Sequence, residues 1–394
     1  MSRDVAVTGT GQVGYVGESP QTYTELANEA AQRAVEDSGL VMEEIDAVVL
    51  SQAPEAFMGL GHPERLAVDH VGATHKPEMR IHTGGSTGGS AAQAGYYFVA
   101  SGEYDNVLVV GAEKIKENDA PQKILNAIWD PITEKPFGLN TLAMTAFQGV
   151  RYMHKYDVTQ EDLALAAVRN HKHGRDNPHA HVAADIDVQD VLDAEYLSYP
   201  WGLYDACPSS AGGCAAVISS EETVAERDLD PAWFTGVAAA AGTYFMGDRM
   251  GTDPDTDHAD QTALDDCTRE AYDQAGIQDP IEEFDVAEIY APFTGSDHAS
   301  LERLGLAEPG KAPQAEREGR FEMDGEIAVS PSGGVQCANP IAVTALVRVV
   351  EGAIQIRGTA GKHQVDNVTD ALVTGSGGSV QFWTTTTLSA DKPN

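Results

Sequence analysis

Short apolar runs and longer amphipathic stretches alternate along the chain. The same order of these segments occurs twice. In the first half, two short apolar runs flank an amphipathic stretch, at residues 4–9, 47–50 and 23–38 respectively. In the second half, the corresponding segments are residues 233–238, 286–290 and a stretch that closes at 271–276. Short apolar runs bounded by Gly and Pro predict buried strands, and strands that alternate with helices predict an α/β fold.

Each half then continues with a glycine-rich turn, a helix and a further strand. The first half has them at residues 84–86, up to about 100, and 106–111. The second half has them at residues 332–334, about 340–356 and 371–375. Matched order with matched Gly and Asp residues, about 235 positions apart, predicts a duplicated chain of two βαβ-rich halves, at 1–230 and 231–394. We expect the halves to pack about a pseudo-twofold axis.

A segment at about 115–205 interrupts the pattern of the first half. Such excursions from a compact sheet commonly cover an active site. The segment holds four closely spaced histidines, which are His171, His173, His179 and His181. A spacing of two residues places neighbours on opposite sides of a helix, and Pro178 breaks helical geometry. The pattern therefore favours a surface loop or a phosphate-contacting cluster, and we predict no metal site.

The charge balance is strongly acidic, with 61 acidic against 25 basic residues and a net charge of −36 among 394 residues. The acidic residues are spread along the chain and form no block. An evenly acidic surface indicates adaptation to high salt, where charge repulsion is screened, and so predicts a halophilic source. It argues against nucleic-acid binding, which needs a basic surface.

The start of the chain and its cysteines predict a cytoplasmic protein. The first residues lead directly into a strand-like run and show no signal-peptide pattern, and no apolar run approaches the ~18 residues that span a membrane. The cysteines have no C-x-x-C spacing, so we predict neither disulfides nor a zinc knuckle; they are Cys207, Cys214, Cys267 and Cys337.

Ser86 stands at the predicted N-terminus of a helix. Free backbone N–H groups and a partial positive charge at such an end favour an ionised nucleophile or a developing oxyanion. The turn also fits the G-x-S-x-G pattern of α/β-hydrolases, with His363 as a downstream histidine, but a repeated half does not follow the hydrolase order. A further alternative is a glycine turn that merely lets the helix pack close to the sheet.

Several motifs together resemble the thiolase superfamily, and specifically its archaeal and sterol-carrier-protein-x type members. Residues 84–92 resemble the family's A-A-C-A-S-G-S-A-A, 101–105 its S-G-E-Y-D, 109–114 its V-V-G-x-E-K, and 331–334 its P-S-G-G. Asn170-His171 with Asn177-Pro178 resembles its N-H…N-P segment. The resemblance covers essentially the whole chain. It implies a thiolase-like fold with layered α-β-α-β-α packing.

The same resemblance implies ligands and partners. It implies a coenzyme A thioester as substrate with no other cofactor, and a homodimer or higher homo-oligomer. Archaeal relatives commonly work with a small zinc-ribbon/OB-fold subunit, so we expect one to be supplied in trans. On the matched motifs, we assign His171, Ser332 and Gly333 to substrate binding.

The chain departs from the family at the positions of the family's catalytic residues. Ser86 replaces the nucleophilic cysteine, and Asn339 replaces the histidine of the G-H-P motif. The H-D-C-F or N-E-A-F segment begins with Tyr290, and the C-terminal C-x-G-G-G loop reads 374–378 without a cysteine. The resemblance still implies oxyanion donors at the Ser86 N–H with the loop glycines, and at Asn339. The loop glycines are Gly377 and Gly378.

Serine needs a positioned base, because its hydroxyl is far less acidic than a thiol. His298, eight residues after Tyr290, is the best candidate for that base, followed by His82 and His171. Three hypotheses follow from the resemblance and its departures. The chain is an acyl-CoA acyltransferase of the β-ketothiolase type that uses Ser86, a thiolase-like retro-aldolase that uses Tyr290 as acid and base, or a non-catalytic acyl-CoA-binding subunit.

Overall fold

A computed structural model of the chain describes residues 3–118, 120–253 and 256–393. The strands are β1 Val5–Val16, β2 Ala47–Ser51, β3 Glu78–Ile81, β4 Asn106–Lys114, β5 Tyr196–Ser198, β6 Trp201–Gly202, β7 Ala211–Ser220, β8 Ala232–Ala241, β9 Val286–Glu288, β10 Ala328–Val329, β11 Asp370–Gly377 and β12 Phe382–Ser389. The helices are α1 Tyr23–Asp37, α2 Pro63–Ala67, α3 Thr87–Ala100, α4 Pro121–Leu125, α5 Thr141–Tyr156, α6 Gln160–Gly174, α7 Val188–Asp193, α8 Glu221–Arg227, α9 Thr262–Ala275, α10 Pro280–Glu283, α11 Thr294–Arg303, α12 Ala312–Arg317, α13 Gly334–Cys337 and α14 Thr344–Ile356.

Ten strands form one mixed sheet in the order β10-β9-β11-β12-β8-β1-β7-β4-β2-β3. The strand order repeats on the two sides of the β8–β1 junction. Away from the junction, one side runs β8, β12, β11, β9 and β10, and the other runs β1, β7, β4, β2 and β3, so each strand has a counterpart at the same place. Parallel and antiparallel pairings also correspond, since β2 and β9 each lie between two parallel neighbours. The halves join where β1 pairs with β8, at Ala6 with Trp233 and Val7 with Ala232. The boundary at residue 230 stays a prediction.

Helices α3 and α14 contact each other between the two halves of the sheet. Helix α3 can be buried there because its residues are small. A Cβ on Gly88 would lie 2.1 Å from the Leu346 backbone nitrogen, and one on Gly95 would lie 2.7 Å from Val109 Cγ2. Helix α1 packs on β1 and β7, and α9 packs on β8 and β12, so helices cover the strands from outside as well.

The excursion that interrupts the first half packs against the second half through Trp201. This indole is 1% exposed and stacks on Phe293, with ring centroids 5.9 Å apart. Glycines on α5 and α11 make room for it, since a Cβ on Gly149 or Gly295 would lie 2.4 or 2.5 Å from the indole. The chain that follows Trp201 is thereby held against the segment that follows β9. Among the described helices, none is long and apolar enough to cross a bilayer.

We expect Gly88→Ala to lower the free energy of unfolding by about 2 kcal/mol, because the added methyl meets backbone of α14 that cannot rotate away. This loss outweighs the ~1 kcal/mol that Ala gains over Gly in a helix. Urea denaturation measures the change. Gly14→Ala is the control, since a Cβ there meets nothing within 4 Å. Equal stability of the two variants would contradict the close packing of α3 on α14.

Candidate active site

Ser86 lies at the end of a 3₁₀ turn, Gly84–Ser86, that leads directly into α3. Gly84 has a φ of +67°, which an L side chain rarely adopts, so the turn needs a glycine at its start. The Ser86 residue is fully buried. Its Oγ donates to the Thr83 carbonyl oxygen at 2.8 Å and lies 3.0 Å from Thr83 Oγ1. Both partners belong to the same turn, so the hydroxyl is held without a base.

The loop at the end of β11 packs directly on this turn. A Cβ on Gly377 would lie 2.7 Å from the Ser86 backbone nitrogen and 2.3 Å from the Thr83 oxygen. A Cβ on Gly84 would lie 2.9 Å from the Gly378 nitrogen. Backbone from the two halves therefore meets at Ser86 with no room for side chains. The assignment of Gly377 and Gly378 as oxyanion donors stays a prediction, and their position beside the Ser86 N–H is compatible with it.

Tyr290 follows β9 and reaches the same turn at Gly85. A Cβ on Gly85 would lie 2.6 Å from the Tyr290 hydroxyl oxygen, so the phenol packs against that glycine. The Tyr290 backbone N–H donates to Thr374 Oγ1 at 2.8 Å, which ties the tyrosine to β11. Tyr290 is 5% exposed, and burial raises the pKa of its phenol well above the usual range. It is therefore a neutral proton donor and not a resting base.

Asn339 lies between α13 and α14 and has a fixed side-chain orientation. Its Oδ1 accepts from Thr344 Oγ1 at 2.8 Å, and its Nδ2 donates to Cys207 Sγ at 3.1 Å. Its backbone N–H donates to Ser210 Oγ at 3.0 Å. Because the amide oxygen is occupied, the Nδ2 group is the part of Asn339 that can meet an acceptor on a substrate.

Cys207 is a site residue that the sequence did not indicate. The other three cysteines are buried, whereas Cys207 is partly exposed, and it packs beside Tyr290. Burial raises the pKa of its thiol to about 12, and the hydrogen bond from Asn339 opposes that shift. Spacing along the chain could not reveal this residue, because Cys207 and Asn339 are far apart in sequence.

The structure does not bring His298 to Ser86. The ring of His298 is 0% exposed on α11, and its Nε2 lies 3.6 Å from Glu316 Oε2. Arg169 lies in the same cluster and binds both oxygens of Asp297 at 2.8 Å. Within the described part of the chain, neither ring nitrogen of His298 has a hydrogen-bond partner. The direction of α11 turns His298 toward this ion-pair cluster, so the placement gives no support to its role as base.

The three residues assigned to substrate binding lie on α6 and beside β9. The His171 ring meets the Tyr204 ring edge-on at 5.6 Å, and burial lowers the pKa of His171. Ser332 donates from its backbone and its hydroxyl to Glu288, each at 3.0 Å. Gly333 has a φ of +87°. In the described residues, no three His, Cys, Asp or Glu side chains are grouped to hold a metal ion. The binding roles stay predictions.

A buried ion pair supports the strand that delivers Tyr290. Arg348 on α14 donates to Glu288 at the end of β9, and to Ser332 Oγ at 2.7 Å. The two charged side chains are 1% and 0% exposed. Because a buried charge is stable only while it is paired, this contact fixes the distance between β9 and α14. It thereby holds Tyr290 in relation to Asn339, which precedes α14.

Comparisons with known proteins match both halves. Residues 6–191 match the thiolase N-terminal domain, and residues 249–390 match the family described as thiolase C-terminal domain-like. The acetyl-CoA acetyltransferase of Methanothermobacter thermautotrophicus is 29% identical over 379 residues, which cover 96% of this chain and 97% of the relative.

Solved structures share the fold over nearly the whole chain. The Ltp2-ChsH2(DUF35) aldolase has a TM-score of 0.82 and 25% identity, with 98% of each chain covered. Human mitochondrial 3-ketoacyl-CoA thiolase has a TM-score of 0.73 and 14% identity, also with 98% of each chain covered, and shows the fold alone. These findings confirm the predicted thiolase-like α/β fold.

We expect Arg348→Met to lower the free energy of unfolding by ~3–5 kcal/mol, because it leaves the Glu288 charge buried without a partner. Adding Glu288→Gln removes that charge and keeps an oxygen for Ser332, so the double variant should regain most of the loss. Denaturant titration of both variants measures this difference. A double variant that is less stable than Arg348→Met would refute the charge-pairing explanation.

Proposed function

Since this chain belongs to the thiolase superfamily, we propose that it is an acyl-CoA acyltransferase of the acetyl-CoA acetyltransferase, or β-ketothiolase, type with Ser86 as acyl carrier. The observation that carries the proposal is the position of Ser86. Its hydroxyl and N–H stand at the start of α3, and the Gly377 backbone packs directly on the Ser86 nitrogen. The similarity to an archaeal acetyl-CoA acetyltransferase along 96% of the chain supports the same reaction class.

In the proposed step, Ser86 Oγ attacks the carbonyl carbon of the thioester. The new C–O bond forms, the C–S bond breaks, and the hydroxyl proton ends on the departing coenzyme A sulfur. The Ser86 N–H lies at a helix N-terminus, where negative charge on the carbonyl oxygen is stabilised. Ser86 must first rotate away from the Thr83 carbonyl, since that oxygen now accepts its hydrogen.

Among the described residues, no charged base forms a hydrogen bond with Ser86, and this determines the proposed chemistry. The groups nearest to the turn are hydroxyls, a phenol and backbone, none of which is ionised at neutral pH. General-base assistance contributes ~10²–10⁴-fold in enzymes that have it. We therefore propose that the leaving thiolate itself takes the proton, and that acylation is slow compared with that of a cysteine nucleophile.

Partners and setting form part of the same proposal. We propose a homodimer or higher homo-oligomer that works with a small zinc-ribbon/OB-fold subunit. The similar aldolase structure, whose name pairs Ltp2 with ChsH2(DUF35), supports a partner subunit. The acidic excess of 61 against 25 residues leads us to propose a high-salt cytoplasm as the setting.

We expect incubation with acetyl-CoA to place an acetyl group on the Ser86 peptide, detected by peptide mass spectrometry. Ser86→Ala should abolish this adduct, because the attacking oxygen is removed. Ser101→Ala, at the far end of α3, is the matched control and should keep it. Coenzyme A binding without any adduct on the Ser86 peptide would overturn the acyl-carrier role.

A second candidate function is a retro-aldolase that acts on an acyl-CoA. The contact of the Tyr290 phenol with Gly85 favours it, because in the aldol direction a neutral phenol beside the reacting position donates its proton to the carbonyl oxygen as the C–C bond forms. Retro-aldol cleavage runs the same transfer in reverse, so the substrate hydroxyl returns that proton to the Tyr290 oxygen as the C–C bond breaks. The high structural similarity to an aldolase supports it as well. In this reaction Ser86 carries no acyl group.

We expect retro-aldol cleavage of a 3-hydroxyacyl-CoA, if present, to fall by ~10²–10⁴-fold in Tyr290→Phe, the range of a lost acid–base group. Ser86→Ala should keep this activity, and released acetyl-CoA is the readout. Loss in Ser86→Ala with retention in Tyr290→Phe would reject the aldolase. Absence of both reactions with retained coenzyme A binding would leave the non-catalytic hypothesis.

A further inference from the structure

Cys207 belongs to a cluster of reactive groups beside Tyr290. Its sulfur accepts from Asn339 Nδ2 at 3.1 Å. It packs on the buried group formed by Tyr290, Val335 and Ala345. The cluster therefore joins a thiol, an amide and a phenol, and the phenol itself contacts Gly85 beside Ser86.

The loop that carries Cys207 is held firmly in place. The Cys207 backbone N–H donates to the Pro292 carbonyl at 2.9 Å, and Ala206 forms an antiparallel bridge with Phe293. Two residues earlier, Asp205 accepts from the Gly202 N–H and from Thr294 Oγ1, each at 2.8 Å. These contacts fix the thiol beside the segment that carries Tyr290, so its position does not depend on the sulfur's own hydrogen bond.

Exposure distinguishes Cys207 from the groups around it. Ser86, Tyr290 and Asn339 are 0%, 5% and 6% exposed, whereas Cys207 is partly exposed. Cys207 is therefore the most exposed residue of this group. The glycine loop at 374–378 carries hydroxyls but no thiol, imidazole or carboxyl group.

Both candidate reactions need a group that moves a proton at the carbon next to the thioester carbonyl. When the C–C bond at that carbon breaks, its electron pair stays on the carbon, which must then be protonated. We propose that the Cys207 thiol is this proton-transfer residue. The inference rests on the proposed function, because it assumes that the site makes or breaks a C–C bond in an acyl-CoA.

The step is balanced without an outside reagent. The S–H bond of Cys207 breaks and a C–H bond forms at the α-carbon. The sulfur regains a proton from the oxygen that loses one. This is the Ser86 hydroxyl when a 3-ketoacyl-CoA is cleaved onto Ser86, so that the leaving group is carbon and not the coenzyme A thiolate, and it is the substrate hydroxyl, by way of Tyr290, in a retro-aldol reaction. In the reverse direction, the thiolate takes the α-proton. Burial raises the pKa of the thiol to about 12, so the thiol is the resting form at neutral pH, and removal of an α-proton, which needs the thiolate, should become faster as the pH rises.

Exchange of the acetyl-CoA methyl hydrogens with deuterated water tests this role, since exchange needs α-proton transfer and no acyl transfer. We expect the wild-type chain to catalyse exchange, and Cys207→Ala to slow it by at least ~100-fold, the lower range for a lost acid–base group. NMR of the methyl signal measures the rate.

Matched controls separate the thiol from general damage. Cys267→Ala removes a buried cysteine from the other half and should exchange as the wild type does. Cys207→Ser keeps the size of the side chain, so it should fold like the wild type and still exchange slowly. Thermal melting of each variant checks the fold.

The outcomes distinguish this inference from the proposed function. Acetylation of Ser86 that persists in Cys207→Ala, with exchange lost, supports both. Exchange that persists in a folded Cys207→Ala overturns the inference and leaves acylation of Ser86 untouched. An acetyl group found on the Cys207 peptide also overturns it, because the thiol would then be the acyl carrier. Absence of exchange in the wild type, with Ser86 acetylated, rejects the inference alone.

Discussion

The close backbone contact between two glycine-rich segments, one from each half, is the constraint on which the site depends. Residues 375–378 press on the turn at 83–86 so closely that a Cβ on Gly377 would lie 2.3 Å from the Thr83 oxygen. The same closeness recurs beneath the turn, where Gly88 of α3 meets the backbone of α14. Small residues at these points let the two halves of the sheet share one interior, and Ser86 sits where they meet.

The buried ion pairs of this structure lie apart from the groups that are proposed to react. The pair of Arg348 with Glu288 and the cluster of Arg169 with Asp297 are buried and stabilise the framework. The groups around Ser86 are instead neutral, namely the hydroxyl of Thr83, the phenol of Tyr290, the amide of Asn339 and the thiol of Cys207. Since none of these four groups is an ionised base at neutral pH, the described part of the site acts by hydrogen bonding and by passing protons between neutral groups.

The excursion of the first half completes the site from outside the repeated core. Trp201 anchors it between α5 and α11, and the chain beyond Trp201 pairs with the segment after β9. Cys207 therefore reaches Tyr290 and Asn339 although it lies on a loop. The repeated core positions Ser86 and the glycine loop, whereas the segment that interrupts the first half positions the Cys207 thiol.

Periodicity and glycine placement were enough to predict the α/β fold, the repeated order of strands and a turn that delivers Ser86 to the start of α3. These features are local, since they follow from alternating apolar runs and from the backbone freedom of residues such as Gly84. Contacts between distant segments were not predictable in the same way. Only packing decided that Cys207 meets Asn339 and that His298 turns toward Glu316, because a side chain's neighbours across long loops depend on how whole elements dock.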